Sequence, residues 1–128
     1  MQSPRPTQVF IVDDSVWIRL RLAQAIARMP DVALVGEAAS AAEAVTGILR
    51  TRPDSVLLDL NLMGRTGLDV MRAVRAEAPE IVFIVLTNHS ESQYRDACMA
   101  AGATYFLDKS QDFERVSSVL AEIAATLH

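Results

Sequence analysis

The amino-acid sequence predicts an α/β fold: a single sheet of parallel strands with helices on both faces. Three observations carry this. Short apolar runs rich in β-branched residues alternate with amphipathic helical stretches, five times along the chain. The run Ile81 to Leu86 is apolar throughout, as a strand buried on both faces requires. Pro30, Pro53 and Pro79 each close a helical stretch ahead of the next apolar run.

The elements follow in order. Val9-Phe10-Ile11-Val12 is the first strand and ends at Asp13-Asp14. Ser15 supplies an N-cap for a helix whose inner face is Ile18, Leu22, Ala25, Ile26 and Met29, stopped by Pro30. Val32 to Ala38 is the second strand. Ser40 caps a helix bearing Ala44, Val45, Ile48 and Leu49, which ends before Pro53. Val56-Leu57-Leu58 is the third strand, ending at Asp59. A loop containing Gly64 and Gly67 leads to a helix with Leu68, Met71 and Val74, closed by Pro79. The fourth strand, from Ile81, reaches Thr87. A helix presenting Tyr94, Ala97, Cys98 and Ala101 follows, with Gly102 as its C-cap. Thr104 to Leu107 is the fifth strand and leads to Lys109. The last helix uses Phe113, Val116, Leu120, Ile123 and Leu127.

The 128 residues fit one domain, and 51% apolar with 22% charged residues suits a compact fold with a sizeable core. Residues 1–6 read as a flexible polar lead-in and residues 7–128 as the folded domain. A net charge of −4 argues against direct nucleic-acid binding, which needs clustered Lys and Arg. Cys98 is the only cysteine, so no internal disulfide forms; inside an apolar helical pattern it reads as a small buried residue. No apolar run has the length of a membrane span and no signal core precedes the first strand, so a cytoplasmic location without membrane contact is expected.

Five strands without a GxGxxG turn after the first favour the doubly wound order 2-1-3-4-5. Ligands in such sheets bind at the carboxyl ends of the strands. In that order Asp13, Asp14, Asp59, Thr87 and Lys109 all meet at one edge, while the second strand, ending in Glu37-Ala38, lies outside it and supplies nothing essential. Each residue alone reads as a turn, cap or solvated charge. Together they form a site. Three gathered carboxylates repel, and at least one pKa should rise unless a cation is present. Oxygen ligands without His or Cys suit a hard cation, Mg²⁺ foremost. Lys109 and the Thr87 hydroxyl suit phosphoryl oxygens, and Asp59, flanked on both sides, is the candidate nucleophile.

These residues, with Val12-Asp13-Asp14-Ser15, Gly67 eight residues after Asp59, and Gly102-Ala103 leading to Lys109, resemble the response-regulator receiver domain of two-component signalling, a flavodoxin-like fold. The resemblance implies that Asp59 takes a phosphoryl group from a phosphohistidine on a sensor histidine kinase or phosphotransfer protein. Asp14, Asp59 and the backbone carbonyl of Asn61 would ligate Mg²⁺ directly, and Asp13 mostly through water. Lys109 would contact Asp59 and then the phosphoryl group. Thr87 would swing toward it, and Phe106, where receivers carry a switch aromatic, would rotate inward. That would reshape the face formed by the fourth helix, fifth strand and fifth helix, for a downstream protein partner or a weak homodimer; otherwise the domain is a monomer. Asn61 and His89 would flank the attacking water and tune dephosphorylation.

Several positions depart from the usual receiver pattern. Met63 and Ser110 stand where proline is frequent, Asn88 where a small residue is usual, and Phe106 lacks the phenolic hydroxyl. The chain is read as a signalling receiver and not an enzyme, acting only on its own phosphoryl group, with no output domain present. A phosphatase of the haloacid dehalogenase type is the first alternative; it needs a second Asp where Asn61 stands. A flavin-binding electron carrier is the second; Asp13-Asp14 would repel the flavin phosphate.

Overall fold

The structure is a computed structural model describing residues 5–62, 65–89 and 91–127. Five strands form one parallel sheet: β1 (Thr7–Val12), β2 (Val32–Ala38), β3 (Ser55–Leu58), β6 (Val82–Thr87) and β7 (Tyr105–Asp108), in the order β2-β1-β3-β6-β7. Two short strands, β4 (Asn61–Leu62) and β5 (Arg65–Thr66), pair antiparallel outside it. Set aside that small ladder and the order is the expected 2-1-3-4-5. Helices α1 (Val16–Ala27), α2 (Ala41–Thr51), α3 (Gly67–Glu77), α4 (Ser92–Ala101) and α5 (Arg115–Leu127) follow their strands in turn.

The sheet divides two apolar layers. Alternate residues of the strands face opposite sides, so Phe10, Val12, Val56 and Leu58 join the α2–α3–α4 layer. Val9, Ile11, Leu57 and Ile84 join the α1–α5 layer. The Phe10 ring lies against Gly36 and Gly47, where added Cβ atoms would fall within 2.5 and 2.7 Å of it. Ser15 and Ser40 cap α1 and α2, each hydroxyl accepting a backbone N–H at 3.3 Å. Gly102 ends α4 at φ 112°, a conformation that suits glycine.

Some boundaries and faces differ from expectation. Strand β1 begins at Thr7, two residues before the apolar run, because Thr7 donates to the Asp31 carbonyl at 2.9 Å. Within α4 only Cys98 is buried; Tyr94 and Ala97 are exposed, and Ala101 is half-buried against the core. Leu127 is also exposed, in the last turn of α5. Val119 and Ala124 are buried on α5 instead.

Candidate functional site

Strand register builds the site. Val12 pairs with Leu58 and Leu58 with Val85, so the residues just past β1 and β3 lie side by side. Asp59 N–H donates to the Val12 carbonyl at 2.9 Å, and Lys109 N–H to the Thr87 carbonyl at 2.9 Å. Parallel pairing therefore continues one step beyond the strands and aligns the functional positions.

Asp13, Asp14 and Asp59 each offer a carboxylate oxygen, all within 4.8 Å of one another. Asp13 and Asp59 are buried, whereas Asp14 is exposed. Lys109 Nζ lies 2.7 Å from Asp13 Oδ2 and 3.2 Å from Asp59 Oδ2. The other Asp13 oxygen accepts the Ser15 N–H at 2.9 Å, and the other Asp59 oxygen accepts the Asn61 N–H at 3.3 Å. Lys109 was expected to contact Asp59; its shorter bond to Asp13 was not anticipated.

One lysine serving two buried carboxylates leaves an imbalance. Burial pushes the Asp59 pKa up, the Lys109 charge pulls it back, and the Asp13 charge pushes it up again; the net direction is upward. The anticipated rise is present, but burial causes it more than carboxylate repulsion. For Lys109, burial favours the neutral amine, yet the bond to Asp13 and the two carboxylate charges outweigh it and its pKa rises.

Asp14, Asp59, Asn61, Asn88, Lys109 and Ser110 line an open cleft of about 370 Å³. A roomier hollow of about 410 Å³ lies at the opposite ends of the strands, between Arg5, Asp31 and Ala124, and has no comparable cluster of reactive groups. Three oxygen donors without nitrogen or sulfur fit a hard divalent cation, and Asp14 makes no side-chain bond among the described residues that would compete.

The remaining positions separate. Thr87 is fully buried behind the cleft, its hydroxyl accepting the His89 N–H at 3.1 Å and keeping its own proton to donate. His89 is not among the cleft's lining; its ring stacks obliquely on Tyr94, centroids 5.5 Å apart. Asn61 does reach the cleft, so the two residues expected to flank a water are parted. Phe106 is half-buried and packs against the α2–α3–α4 core. Met63 lies outside the described residues. Ser110 heads a turn closed by Asp108 Oδ1, which accepts from Ser110 N–H at 2.8 Å, Ser110 Oγ–H at 2.6 Å and Gln111 N–H at 3.1 Å. No described peptide bond is cis.

The structure adds Arg19, which the sequence does not single out, and Glu37, at the strand end expected to supply nothing essential. Arg19, on α1, donates from Nη1 to the Asp13 carbonyl at 2.6 Å and pairs through Nε with Glu37 at 3.2 Å. The end of β2 thus reaches the site after all. The only sequence signal was Arg19 standing one turn after the Ser15 cap, on the side of the helix facing the strand ends.

Comparison with known proteins agrees with this geometry. The profile of the family described as the response regulator receiver domain matches residues 9–121. A protein-glutamate methylesterase/protein-glutamine glutaminase of Carboxydothermus hydrogenoformans is 37% identical over 117 residues, 90% of this chain and 34% of its own length. The response regulator domain of Thermotoga maritima CheB superposes with a TM-score of 0.83 at 26% identity, covering 95% of this chain and 96% of that one. A Borrelia burgdorferi CheX–CheY–BeF₃–Mg²⁺ complex gives a TM-score of 0.79 at 26% identity, covering 90% of each chain. The chain spans 34% to 58% of the first curated relatives it matches. With the sheet order, the acidic pocket and a profile match across most of its length, the chain belongs to the response regulator receiver domain family, the phosphorylated signalling module of two-component systems.

Proposed function

We propose that Asp59 is the phosphoryl acceptor and that a phosphohistidine on a sensor kinase or phosphotransfer protein is the donor. The observation that carries this is the Lys109 ammonium bridging Asp13 and Asp59 at the mouth of an open cleft. An Asp59 carboxylate oxygen attacks phosphorus, the phosphorus–nitrogen bond breaks with its electron pair passing to the ring nitrogen, and the imidazole leaves, taking up a proton from solvent. Lys109 stays beside the new acyl phosphate and stabilises its charge. The Thr87 O–H then turns toward a phosphoryl oxygen, and Phe106 moves into the space beside it. That motion reshapes the α4–β7–α5 face for a downstream protein.

The acidic pocket fits Mg²⁺, with Asp14, Asp59 and the Asn61 carbonyl as direct ligands. Asp13 is suited to act through water, because the Ser15 N–H and Lys109 already hold both its carboxylate oxygens. When bound, Mg²⁺ would neutralise charge on the transferring group. The Borrelia relative, solved with BeF₃ and Mg²⁺, supports this assignment. The domain acts on its own phosphoryl group and on no separate substrate, and a cytoplasmic place fits a kinase-fed receiver. No helix among the described residues is long and apolar enough to cross a membrane.

Intact mass after incubation with Mg²⁺ and acetyl phosphate tests the acceptor. Wild type should gain about 80 Da, one phosphoryl group, and Asp59→Asn should gain nothing. A gain that survives in Asp59→Asn sinks the assignment.

A further inference from the structure

We propose that Arg19 is a positioning residue that aims Asp14 at the cation site, acting through the Asp13 carbonyl and anchored by Glu37. This rests on the cation site proposed above.

Every polar group of Asp13 is engaged. Its N–H donates to the Ala38 carbonyl at 3.1 Å, its carbonyl accepts from Arg19 at 2.6 Å, and its carboxylate takes the Ser15 N–H and Lys109. The Asp13 carbonyl belongs to the peptide plane that leads into Asp14. That plane is rigid, so holding its oxygen fixes the direction in which the Asp14 Cα departs. Asp14 has no side-chain bond of its own among the described residues and is exposed. Its aim toward the other two carboxylates therefore depends on the backbone behind it.

Arg19 suits this task. It lies one helical turn after the Ser15 cap, with its N–H on the Ser15 carbonyl at 3.1 Å, so its side chain starts from the first backbone bond of α1 and reaches back to the end of β1. Its side chain is only 19% exposed, and the Glu37 bond at 3.2 Å holds the guanidinium from the far side. A planar fork with donors in fixed directions serves two acceptors at once; an ammonium does not share that geometry. The clamp joins the ends of β1 and β2 to α1.

The sign of the effect separates positioning from bulk electrostatics. Arg19 is a positive charge beside a cation site. By charge alone, its removal should tighten Mg²⁺ binding. If Arg19 positions Asp14, its removal weakens binding despite the lost repulsion.

The test is a Mg²⁺ titration of the unphosphorylated protein, followed by amide NMR shifts of residues 13–15 and 59–61. Asp14→Asn is the control for the site. Arg19→Met should bind Mg²⁺ about tenfold more weakly, the lower end of what outer-shell partners of metal ligands contribute. Arg19→Lys, which keeps the charge and should fold wherever Arg19→Met does not, should fall between the two. Unchanged or tighter binding in Arg19→Met overturns the proposal, as does wild-type affinity in Arg19→Lys. If Asp14→Asn itself binds Mg²⁺ like wild type, the cation-site reading fails, and the positioning role with it.

Discussion

Lys109 offers the sharpest test of the site's energetics. Its side chain is 9% exposed and its partners Asp13 and Asp59 are 3% and 6% exposed, so all three charges are shielded from water. Lys109→Met retains most of the stem's volume and deletes only the ammonium. Two buried carboxylates then face each other with no cation between them. At 4.8 Å, the upper bound on their separation, and an effective dielectric of about 20, they repel by about 3.5 kcal/mol. This falls within the range for removing one partner of a buried ion pair, about 3–5 kcal/mol. For a domain of this size, that lowers the melting temperature by about 13 °C. The loss should be largest at pH 7 without divalent ions. It should shrink as pH falls, because Asp59 already has a raised pKa and loses the one charge that pulls it down. A carboxyl whose folded pKa is raised binds protons more readily when folded, so acid stabilises the folded state. Thermal melts of wild type and variant at pH 7 and pH 5 measure both effects. A variant that melts within about 2 °C of wild type at pH 7 would refute the buried-cluster account, and so would a deficit that does not narrow at pH 5.

Other perturbations probe the same framework. Asp59→Asn should be more stable than wild type at neutral pH: with its folded pKa above 3.8, the stability Asp59 contributes is present below that value and lost as pH rises through the folded pKa. Urea midpoints of the two proteins should differ at pH 7 and converge at low pH; a less stable Asp59→Asn at pH 7 contradicts the direction. In Gly67→Ala, the new Cβ would overlap the Asp59 carbonyl oxygen and approach Leu60 Cα to 3.1 Å. Both obstacles are backbone, so stability should fall by about 2 kcal/mol, as for overpacking, and Asp59 phosphorylation should slow; unchanged melting would show the loop yields freely. Asp108→Ala removes the acceptor of three turn bonds and should destabilise by about 2 kcal/mol, while Asp108→Asn, which keeps Oδ1, should lose much less. Equal urea midpoints for the two would remove the turn's claimed role.

The fold was legible because parallel strands buried on both faces leave continuous apolar runs, and Pro, Gly and Ser mark the joints between them. Ser15 and Ser40 cap where a hydroxyl before an apolar helix should. The site was legible for a related reason: in a parallel sheet, residues just past neighbouring strands are forced together, so Asp13, Asp59, Thr87 and Lys109 could be placed from strand ends alone. Contacts made by the backbone were not legible. A carbonyl carries no sequence signature, so the place of Arg19 one turn after the Ser15 cap does not by itself reveal that it reaches the Asp13 oxygen. The β4–β5 ladder is two residues on a side, too short for alternation to register. Tyr94 and Ala97 misled because helical spacing says which residues share a face and not how wide a face its neighbours cover.

The same geometry also explains why three clustered aspartates are not interchangeable. Asp13 is buried, held by Ser15 and by the shorter lysine bond, and does not line the cleft; its oxygens are committed to structure. Asp14 lines the cleft but is exposed and apart from Lys109, so nothing in the protein stands ready to stabilise charge developing on it. Asp59 alone combines burial, access to the cleft and the lysine's longer, looser bond at 3.2 Å. Burial strips water from its carboxylate, and Lys109 lies within reach of whatever the carboxylate acquires. A nucleophile needs both properties at once: a carboxylate locked by strong bonds is too well stabilised to attack, and one in open water has no preorganised partner for its product. That division of labour favours Asp59 as the acceptor, with Asp13 holding the lysine and Asp14 left free for a cation.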